Sequence, residues 1–425
     1  MTTIDPPDAG RLRVVHVITR MIVGGAQENT LESCARVSPE VVDSTLVSGP
    51  QTGAEGSLLE ETTRRGVRLV VEATLRREIA PWHDLRALVR LTRLLRAERP
   101  AVVHTHSSKA GILGRAAARL AGVPVVVHTV HGWGFHDHQH PAVRRAYVLA
   151  ERVAARWSDA LVVVADSDRA KGRAEGVGRP EQYRLIRSGV DLDPFRAPGT
   201  DRAEARRRLG VPVQGPLVGA VGRLSPQKDP LALVRVLARL VGEHPGLHAA
   251  IVGDGPLRDE VEALAADLGV PDRLVLPGLR RDVAQILPAF DALAFTSGWE
   301  GLPRVIPQAM AAGVPIASYA VDGAVEALGE GPDRPPAGLL VESGDEEGLA
   351  KALSSVLADP DLAATLADRG RAASHEFDLS GMIDQLTALY AEQLAAAANR
   401  QGDAARSTHA PPAFARDRGR HTQGQ

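Results

Sequence analysis

Short apolar runs rich in β-branched residues alternate with longer segments of helical periodicity along most of this chain. Such alternation is typical of βαβ units, in which helices join parallel strands and cover both faces of the sheet. Many of the runs are continuously apolar, as expected for strands that are buried on both faces. In the first half, strands are predicted at residues 12–18, 41–47, 67–71, 101–104, 123–128 and 160–165, and helices at 26–36, 84–99, 109–121 and 142–157.

The alternation pauses after residue 191, where Pro, Gly and charged residues dominate, and then restarts. We therefore predict two similar α/β domains, at residues 1–190 and 191–378, followed by a helix at 379–396. Residues 397–425 are polar and lack an apolar period, so we expect them to be a disordered tail. The second domain is predicted to contain strands at 217–221, 247–252, 273–276, 291–296, 314–318 and 338–341.

Composition excludes several classes of function. The 425 residues carry a net charge of −2 and only 3% aromatic residues, so the chain lacks both the positive field and the stacking surface of nucleic-acid-binding proteins. The single cysteine, Cys34, excludes an internal disulfide and fits a reducing compartment. The N-terminus lacks a signal-peptide pattern, and no apolar run approaches the ~20 residues of a membrane helix. We expect a cytoplasmic protein, with peripheral contact at the inner face of a membrane left open.

One loop near residue 300 combines two binding signals. An apolar run ends at Ser297, a loop follows that contains Glu300, and a helix begins near Pro303. Free N–H groups and the positive dipole end at a helix start suit a phosphate. A carboxylate repels phosphate, so Glu300 is predicted to accept hydrogen bonds from sugar hydroxyls instead. The loop therefore predicts a bound nucleotide sugar, with its phosphate at the helix start and its sugar hydroxyls at Glu300.

A second loop, after the strand at 217–221, carries two cations. Gly222 lets the backbone approach a ligand, while Arg223 offers a bidentate fork and Lys228 a point charge for phosphate. Asp229 is predicted to cap the next helix, and Pro230 suits its first position. Surface charges near a helix start are the simpler interpretation of either cation alone, but the two together favour binding of a diphosphate.

A third loop, after the strand at 247–252, contains Gly253, Asp254 and Gly255, with Pro256 at the expected start of a helix. A lone Gly-x-Gly pattern is a weak signal, and Asp254 is also explained as a helix cap. Its position is more informative, because ligands of parallel sheets bind at the carboxyl ends of the strands. All three loops are therefore predicted to face one crevice.

Seven motifs, in this order and at these separations, resemble glycosyltransferase family 4, the retaining enzymes of the GT-B fold. They are Gly24-Gly-Ala-Gln27, His104-Thr-His-Ser-Ser-Lys-Ala-Gly111, His128-Thr-Val-His131-Gly, Ser188-Gly-Val-Asp191, Gly222-Arg-Leu-Ser-Pro-Gln-Lys228, Gly253-Asp-Gly-Pro256 and Glu300-Gly-Leu-Pro-Arg304. The resemblance covers most of the chain. It implies two Rossmann-like domains whose parallel sheets face each other across an interdomain cleft. It also implies a donor bound mainly to the second domain, an acceptor bound to the first, and a last helix packed back on the first domain.

The resemblance assigns roles to the matched residues. It implies that His131 lies near the transferring sugar, and we take the catalytic residues to be His131, Glu300, Arg223 and Lys228. Ser107, Ser108 and Lys109 lie at a predicted helix start, where they could bind an acceptor phosphate, although capping alone explains the serines. The predicted donor-binding residues are Gly24, Gly25, Gly222, Gly253, Asp254, Gly255, Gly301, Leu302, Pro303, Arg304 and Gln308, and the acceptor-side residues are Gln27, Ser107, Ser108 and Lys109.

The chain departs from the family pattern at Gln308. Members of the family usually have a second glutamate at this position, which binds the ribose hydroxyls. A glutamine carbonyl accepts one such hydrogen bond but carries no charge, so we expect weaker ribose binding rather than loss of activity. Pro307 cannot donate a backbone hydrogen bond and is expected to leave amides near residues 304–306 free.

Two other patterns were weighed as metal sites. His136, His138 and His140 alternate, but no second ligand cluster has zinc-like spacing, so a solvated loop is the better interpretation. The pairs Asp166/Asp168 and Asp191/Asp193 are interpreted as caps and turns, because Arg223 and Lys228 are expected to replace a metal at the diphosphate. No metal and no cofactor is predicted.

The segment at residues 84–99 looks amphipathic. Leu85, Leu88, Leu91 and Leu95 are predicted to share one face, and arginines at 86, 90 and 93 the other. Packing of the apolar face on the sheet is the main interpretation, and contact of the arginines with anionic lipid is the minor one.

The sequence thus predicts a metal-independent retaining glycosyltransferase. It is expected to move a sugar from a nucleoside-diphosphate sugar, with UDP favoured, to a hydroxyl of a lipid-linked or growing glycan. A catalytically degenerate nucleotide-binding or scaffold protein is the alternative, and Gln308 supports it. A dinucleotide dehydrogenase is disfavoured because the first strand is not followed by a full Gly-x-Gly-x-x-Gly turn.

Overall fold

The computed structural model describes residues 11–37, 41–51, 56–135, 139–300, 302–331 and 334–408. Two parallel sheets form the centres of two α/β domains, as the alternating sequence pattern predicted. The strands are β1 (Leu12–Ile18), β2 (Val42–Ser48), β3 (Arg68–Val71), β4 (Val102–His106), β5 (Val125–Val130), β6 (Ala160–Val163), β7 (Tyr183–Leu185), β8 (Leu217–Val221), β9 (His248–Val252), β10 (Leu274–Val275), β11 (Ala292–Phe295), β12 (Ile316–Tyr319) and β13 (Leu339–Val341).

Helices connect the strands and cover the sheets. They are α1 (Gly25–Ala35), α2 (Leu59–Arg64), α3 (Pro81–Glu98), α4 (Ser108–Ala121), α5 (Pro141–Ala155), α6 (Asp166–Ala174), α7 (Asp193–Arg196), α8 (Arg202–Leu209), α9 (Pro230–Leu240), α10 (Arg258–Asp267), α11 (Val283–Ile286), α12 (Val305–Ala312), α13 (Asp322–Leu328), α14 (Glu346–Ala358), α15 (Pro360–Ser374) and α16 (Leu379–Thr408). Within the described ranges, none of these helices combines the length and the apolarity that a bilayer-spanning segment needs.

Each sheet has a point at which its strand order reverses. The first sheet has the order β3-β2-β1-β4-β5-β6-β7, so the chain reverses between β1 and β4. The second has the order β10-β9-β8-β11-β12-β13 and reverses between β8 and β11. The loops at the carboxyl ends of the two strands on either side of such a point diverge and leave a crevice, which is where open α/β sheets bind ligands. The loops after β1, β4, β8 and β11 are therefore placed to build a site.

The last helix, α16, belongs structurally to the first domain. Its Leu379, Met382 and Leu386 pack with Val14 of β1 and Val102 of β4 in one apolar cluster. The sequence analysis ended this helix at residue 396, whereas the structure continues it to Thr408. The prediction of a disordered tail is therefore wrong for residues 397–408, because this alanine-rich stretch has high helix propensity that outweighs its polar composition. The rest of the predicted tail lies outside the described residues.

The first domain differs from the sequence prediction in further ways, and its helices α2 and α6 were not predicted. Strand β7 (Tyr183–Leu185) forms the edge of its sheet and was not predicted, because three residues give no recognisable period. In α3 the buried side chains are Ala87, Leu91, Thr92 and Leu95, whereas Leu85 is exposed. The predicted single apolar face is thus wrong at Leu85, since only the middle and C-terminal part of α3 is covered.

An internal ion pair joins α4 to α5. Arg115 Nη2 lies 2.6 Å from Glu151 Oε2, and both side chains are almost fully buried, while Arg115 Nε donates to the Gly111 carbonyl oxygen. A buried charge is tolerated only when a partner compensates for the water that it loses. The pair therefore fixes the spacing of two helices that cover one face of the first sheet.

Replacing Glu151 by Ala would leave the Arg115 charge buried without a carboxylate. We expect the first domain to lose about 3–5 kcal/mol of unfolding free energy, measured by chemical denaturation followed by circular dichroism. The matched control is Glu347→Ala. Glu347 forms an ion pair with Lys351 at the same distance of 2.6 Å, but both of these side chains are about 70% exposed. Glu347→Ala should change stability little, and equal losses in the two variants would contradict the argument.

Candidate active site

Three loops at the carboxyl ends of β8, β9 and β11 pack directly on one another. The Leu224 N–H donates to the Asp254 carbonyl oxygen at 3.1 Å, and the Gly222 N–H donates to the Val252 carbonyl oxygen at 3.0 Å. A Cβ atom on Gly253 would lie 1.9 Å from the Gly222 carbonyl oxygen, so only glycine permits this approach. A Cβ on Gly255 would similarly lie 2.3 Å from the Leu224 carbonyl oxygen.

Asp254 and Pro256 do not begin a helix as predicted. The Asp254 side chain accepts a hydrogen bond from the Gly255 N–H at 2.8 Å, and helix α10 begins only at Arg258. Asp254 is exposed beside the glycines, which keeps it available to a ligand. By contrast, the predicted cap at Asp229 is confirmed, because its carboxylate accepts from the Ala232 N–H at 3.1 Å with Pro230 in the first helical position.

Lys228 and Glu300 form an ion pair across two of these loops. The Lys228 Nζ donates to Glu300 Oε1, and it also lies 5.6 Å from the centre of the Phe295 ring. The Thr296 hydroxyl donates to the Lys228 carbonyl oxygen at 2.8 Å and holds the lysine backbone against β11. Separate roles were predicted for these two side chains, and the structure brings them into contact.

Arg223 and Arg304 occupy different environments. Arg223 is exposed on the loop after β8, and its guanidinium makes no hydrogen bond or ion pair with any described residue, whereas its carbonyl oxygen accepts from the Ser225 N–H at 2.9 Å. Arg304 Nη1 lies 2.9 Å from Glu28 Oε2, so it connects the start of α12 with α1 of the first domain. One cation is therefore free for a ligand, whereas the other joins the two domains.

A cavity of about 180 Å³ lies between the domains. It brings together His131 and Gly25 of the first domain with Glu300 and Arg304 of the second, as the motif analysis predicted. Glu300 contributes the carboxylate of this cavity and also contacts Lys228 behind it. The described residues that line the cavity are Gly25, Ala26, His131, Val164, Ser188, Glu300, Leu302 and Arg304.

Other predicted donor residues lie beside this cavity without lining it. Gly24 precedes α1, Pro303 is buried before α12, and Gln308 is half-buried in α12, where its N–H donates to the Arg304 carbonyl oxygen at 3.3 Å. Gly222, Arg223 and Lys228 line a separate small hollow next to Phe295. Gly301 lies outside the described residues.

The predicted acceptor-side residues line a second, larger pocket in the first domain. It has a volume of about 460 Å³ and lies between the loop after β1 and helices α4 and α5. Gln27, Ser107, Ser108 and Lys109 all contribute to it. The remaining walls are largely apolar, and its other lining residues are Thr19, Arg20, Arg77, Ile79, Asp84, Ile112, Leu113, Gly134, Ala146, Tyr147 and Ala150.

Two of these side chains already have partners within the protein. Lys109 Nζ lies 2.5 Å from Asp84 Oδ1 and also donates to the Glu78 carbonyl oxygen. The Ser107 hydroxyl is 2.8 Å from the Thr19 hydroxyl, and Ser107 has a left-handed backbone with φ of 60°. The sequence prediction that Lys109 binds an acceptor phosphate therefore needs an additional cation, and Arg77 in the same pocket supplies one.

A row of buried histidines leads to His131, and the sequence analysis missed it. His131 Nε2 lies 3.1 Å from His106 Nδ1, and His106 Nε2 lies 3.1 Å from His16 Nδ1. His104 and His106 occupy alternate positions of β4 and thus share one face, and β1 places His16 opposite His104. That alternation was the available sequence signal, and it is weaker than the alternation of His136, His138 and His140 because it contains only two histidines. His136 and His138 lie outside the described residues, and the His140 side chain accepts from the Ala142 N–H at the start of α5.

Within the described residues, His16, His104 and His106 are the group whose ligand atoms lie close enough together for a metal ion. The ring nitrogens of His104 are both engaged, at 2.6 Å from the Tyr390 hydroxyl and 2.6 Å from the Thr129 hydroxyl. The nitrogens of His106 are engaged by its two histidine neighbours. These contacts favour a hydrogen-bonded cluster rather than a metal centre.

Burial keeps these histidines neutral. It lowers the pKa of His131 to about 4 and that of His16 to about 3, and it holds the pKa values of His104, His106 and His128 well below the ordinary 6.5. A neutral imidazole has one N–H donor and one acceptor nitrogen. His131 therefore acts at neutral pH as a hydrogen-bonding group and not as a cation.

The two aspartate pairs lie at or just before the starts of α6 and α7. Asp166 and Asp168 lie in the first turn of α6, and burial raises the pKa of Asp168 to about 6. Asp191 Oδ2 lies 2.7 Å from Arg36 Nη2, and Asp193 Oδ1 lies 3.2 Å from Arg196 Nη1. Neither α6 nor α7 receives a side-chain cap hydrogen bond, so the interpretation of these aspartates as caps is wrong. Asp166, Asp191 and Asp193 instead form ion pairs with arginines, because each has a guanidinium within reach.

Comparisons with known proteins match both domains. A family model described as Glycosyl transferases group 1 matches residues 201–373, and one described as Glycosyl transferase 4-like domain matches residues 24–189. The chain is 32% identical over 391 residues to the UDP-Gal:alpha-D-GlcNAc-diphosphoundecaprenol alpha-1,3-galactosyltransferase of Escherichia coli, covering 90% of this chain and 98% of the relative. It is 30% identical to the D-inositol 3-phosphate glycosyltransferase of Actinosynnema mirum, covering 89% and 87%.

Solved structures share the two-domain fold at lower sequence identity. Anabaena HepE in complex with UDP superposes with a TM-score of 0.76 at 22% identity, covering 90% of this chain and all of that one. A glycosyltransferase from Rickettsia africae superposes with a TM-score of 0.77 at 18% identity, covering 90% and 99%. The architecture of the chain is therefore that of the GT-B glycosyltransferases.

The neutral histidines predict a loss of stability in mild acid. Their pKa values are lower in the folded protein than in the unfolded chain, so below pH 6.5 the unfolded chain binds more protons and is favoured. His131 alone should remove about 1.4 kcal/mol of unfolding free energy per pH unit between pH 6.5 and about 4, and the other buried histidines change stability in the same direction. Denaturant titrations at pH 7, 6 and 5 measure this slope. A first domain whose stability is the same at pH 7 and pH 5 would contradict the burial of neutral histidines.

Proposed function

Since the chain belongs to the group 1 glycosyltransferases and is thus an enzyme that transfers a sugar, we propose that its donor is a UDP-sugar and its acceptor a lipid-diphosphate-linked glycan. We further propose that the transfer retains the anomeric configuration and needs no metal. The observation that carries the proposal is the interdomain cavity, where Glu300 and Arg304 of one domain face His131 of the other.

The donor diphosphate is assigned to the loops after β8 and β11. As the glycosidic bond breaks, negative charge builds on the leaving diphosphate, and fixed positive groups stabilise it. The Arg223 side chain is exposed and has no partner among the described residues, and Lys228 lies further along the same loop. The N-terminus of α12 adds a positive dipole end, although the Ile306 N–H, which was predicted to be free, already donates to the Pro303 carbonyl oxygen at 3.2 Å. These groups supply the charge that a metal ion supplies in other transferases.

Donor binding requires Lys228 and Glu300 to exchange their mutual ion pair for contacts with the ligand. In the ligand-free protein the two charges neutralise each other at a part-buried position. A diphosphate draws Lys228 towards itself, and Glu300 is then free to accept hydrogen bonds from sugar hydroxyls. The same event thus prepares the phosphate site and the sugar site, which fits the two roles that the sequence predicted for them.

Retention is assigned to attack of the acceptor on the same face from which the diphosphate leaves. In this route a leaving phosphate oxygen accepts the proton of the attacking hydroxyl, and no enzyme nucleophile is needed. A double-displacement route would need a carboxylate about 5 Å from a second one, on the opposite side of the sugar. Among the described residues that line the cavity, Glu300 is the one carboxylate, and Lys228 already engages it.

The names of related proteins support the choice of donor and acceptor. The Escherichia coli relative is named for UDP-Gal and for an acceptor carried on diphosphoundecaprenol, and HepE was solved with UDP. The larger pocket of the first domain fits such an acceptor, because Ile79, Ile112 and Leu113 offer apolar walls and Arg77 offers a cation. A diphosphate next to an apolar chain needs this combination.

The rim of that pocket also supports contact with a membrane surface. Ile79 and Trp82 are 73% and 77% exposed, and Leu85 and Val89 on the next turns of α3 are exposed as well. Exposed Arg86 and Arg93 lie on the same helix. Apolar side chains beside arginines are typical of helices that lie in the interface of an anionic bilayer. We propose that this part of α3 touches the membrane that contains the acceptor lipid.

The first test measures transfer of radiolabelled sugar from UDP-galactose, UDP-glucose or UDP-N-acetylglucosamine to a synthetic lipid-diphosphate-linked N-acetylglucosamine. We expect Arg223→Ala to lower the rate ~30-fold and Lys228→Ala up to ~1000-fold, or about 2–4 kcal/mol of transition-state stabilisation. Lys228→Ala is expected to cost more because Lys228 is part-buried, so water screens its charge less than it screens the charge of the exposed Arg223. Lys351→Ala, which breaks an exposed Lys–Glu pair, is the matched control and should be as active as the unmodified protein.

Normal turnover in both the Arg223 and the Lys228 variants would refute the diphosphate assignment. If the protein binds UDP-sugar but neither hydrolyses it nor transfers the sugar to any acceptor, the alternative of a degenerate nucleotide-binding protein, which Gln308 supports, would be favoured instead.

The second test is sedimentation with vesicles of phosphatidylglycerol and phosphatidylcholine. The double variant Trp82→Ser/Leu85→Ser should bind at least ~10-fold more weakly, because it removes the apolar groups that enter the interface. Leu268→Ser, which replaces a similarly exposed leucine of the second domain, is the control and should bind normally. Equal sedimentation of both variants would exclude α3 as the contact.

A further inference from the structure

A continuous hydrogen-bonded row of three imidazoles connects the interior of the first domain with the interdomain cavity. His131 lines the cavity. Its Nε2 atom lies 3.1 Å from His106 Nδ1, and His106 Nε2 lies 3.1 Å from His16 Nδ1. His16 and His106 are almost fully buried and touch neither the cavity nor the second pocket. We propose that His16 and His106 are positioning residues that fix the tautomer and the ring orientation of His131. This inference rests on the proposed function of His131 at the transferring sugar.

The chemistry of neutral imidazole makes the row directional. Each ring has one N–H and one bare nitrogen, so His106 must donate to one neighbour and accept from the other. The two hydrogen bonds therefore run in the same direction along the row. The tautomer of His16 consequently determines that of His106, and His106 determines that of His131. A row that ends in hydroxyl groups would not transmit this information, because a hydroxyl can both donate and accept.

The groups in the cavity determine which direction of the hydrogen bonds lets His131 bind the sugar. Glu300 can only accept hydrogen bonds, so sugar hydroxyls held there direct their protons to its carboxylate. The sugar oxygens that face the first domain then need a donor. The Nε2 atom of His131 is turned towards His106, which leaves Nδ1 for the ligand. His131 must therefore carry its proton on Nδ1, accept at Nε2 from His106 Nδ1–H, and receive this arrangement from His16 Nδ1–H.

His104 provides an internal comparison. It lies on the same strand and the same face, with its ring centre 4.3 Å from that of His106. Its nitrogens contact the hydroxyls of Tyr390 and Thr129 and contact no histidine nitrogen, so it is outside the row. His104 links β4 to α16 and β5, which is a structural role. The two histidines thus have similar burial but different connections to the site.

The experiment compares His106→Leu, His106→Asn and His104→Leu in the transfer assay. His106→Leu should lower kcat about 10- to 100-fold with the donor KM changed less than about threefold, because His131 keeps its place but loses its proton arrangement. His106→Asn should restore most of kcat, since its amide can donate to His131 from the position of Nδ1. His104→Leu should lose thermal stability to a similar extent as His106→Leu and keep kcat.

A loss of kcat in His104→Leu equal to that in His106→Leu, or no rescue by His106→Asn, would show that His106 acts only through folding and would overturn the proposal. Inactivity of the unmodified protein with every donor would instead show failure of the proposed function, so the two failures are distinguishable.

A second measurement does not depend on activity. Nitrogen-15 NMR of histidine-labelled protein at pH 7 should show His131 protonated at Nδ1 and bare at Nε2, and His106→Leu should reverse this. Protonation of His131 at Nε2 in the unmodified protein would refute the direction of the row. Elemental analysis of the protein as purified should find no stoichiometric metal, whereas one zinc per chain bound through His16, His104 and His106 would replace the proposal with a metal centre.

Discussion

The ion pair of Lys228 with Glu300 is the interaction on which the site depends. It joins the loop that follows β8 to the loop that follows β11, on either side of the point where the strand order of the second sheet reverses. It also holds the cation assigned to phosphate against the carboxylate assigned to sugar hydroxyls. Because both side chains are part-buried, either charge alone would be costly, and a ligand that takes one must satisfy the other. A nucleoside-diphosphate sugar carries both kinds of group.

The two domains are held together by contacts other than this ion pair. Each parallel sheet presents its loops at the carboxyl ends of its strands, and residues that follow β1, β5, β6 and β7 of the first sheet meet residues that follow β11 of the second at the interdomain cavity. The contact of Arg304 with Glu28 and the return of α16 to the first domain hold the two halves together. In the function proposed above, the second domain supplies the charged groups for the donor, and the first supplies His131 and the apolar pocket for the acceptor.

The sequence predicted the two parallel sheets and the meeting of the three loops, because a periodic apolar pattern and the rule of carboxyl ends need no knowledge of side-chain geometry. It did not predict that Lys228 contacts Glu300 or that Lys109 is occupied by Asp84, since an ion pair depends on rotamers and distances across the fold. The histidine row was missed for a related reason. His104 and His106 alternate visibly, but His16 joins them only through the register of β1 with β4.

A structure of the protein with a bound non-hydrolysable UDP-sugar tests the central claim most directly. We expect Lys228 Nζ to leave Glu300 and contact the diphosphate together with Arg223, and the freed Glu300 carboxylate to accept hydrogen bonds from the sugar hydroxyls. A diphosphate bound elsewhere, with the Lys228 and Glu300 pair intact and the interdomain cavity unchanged, would contradict the account.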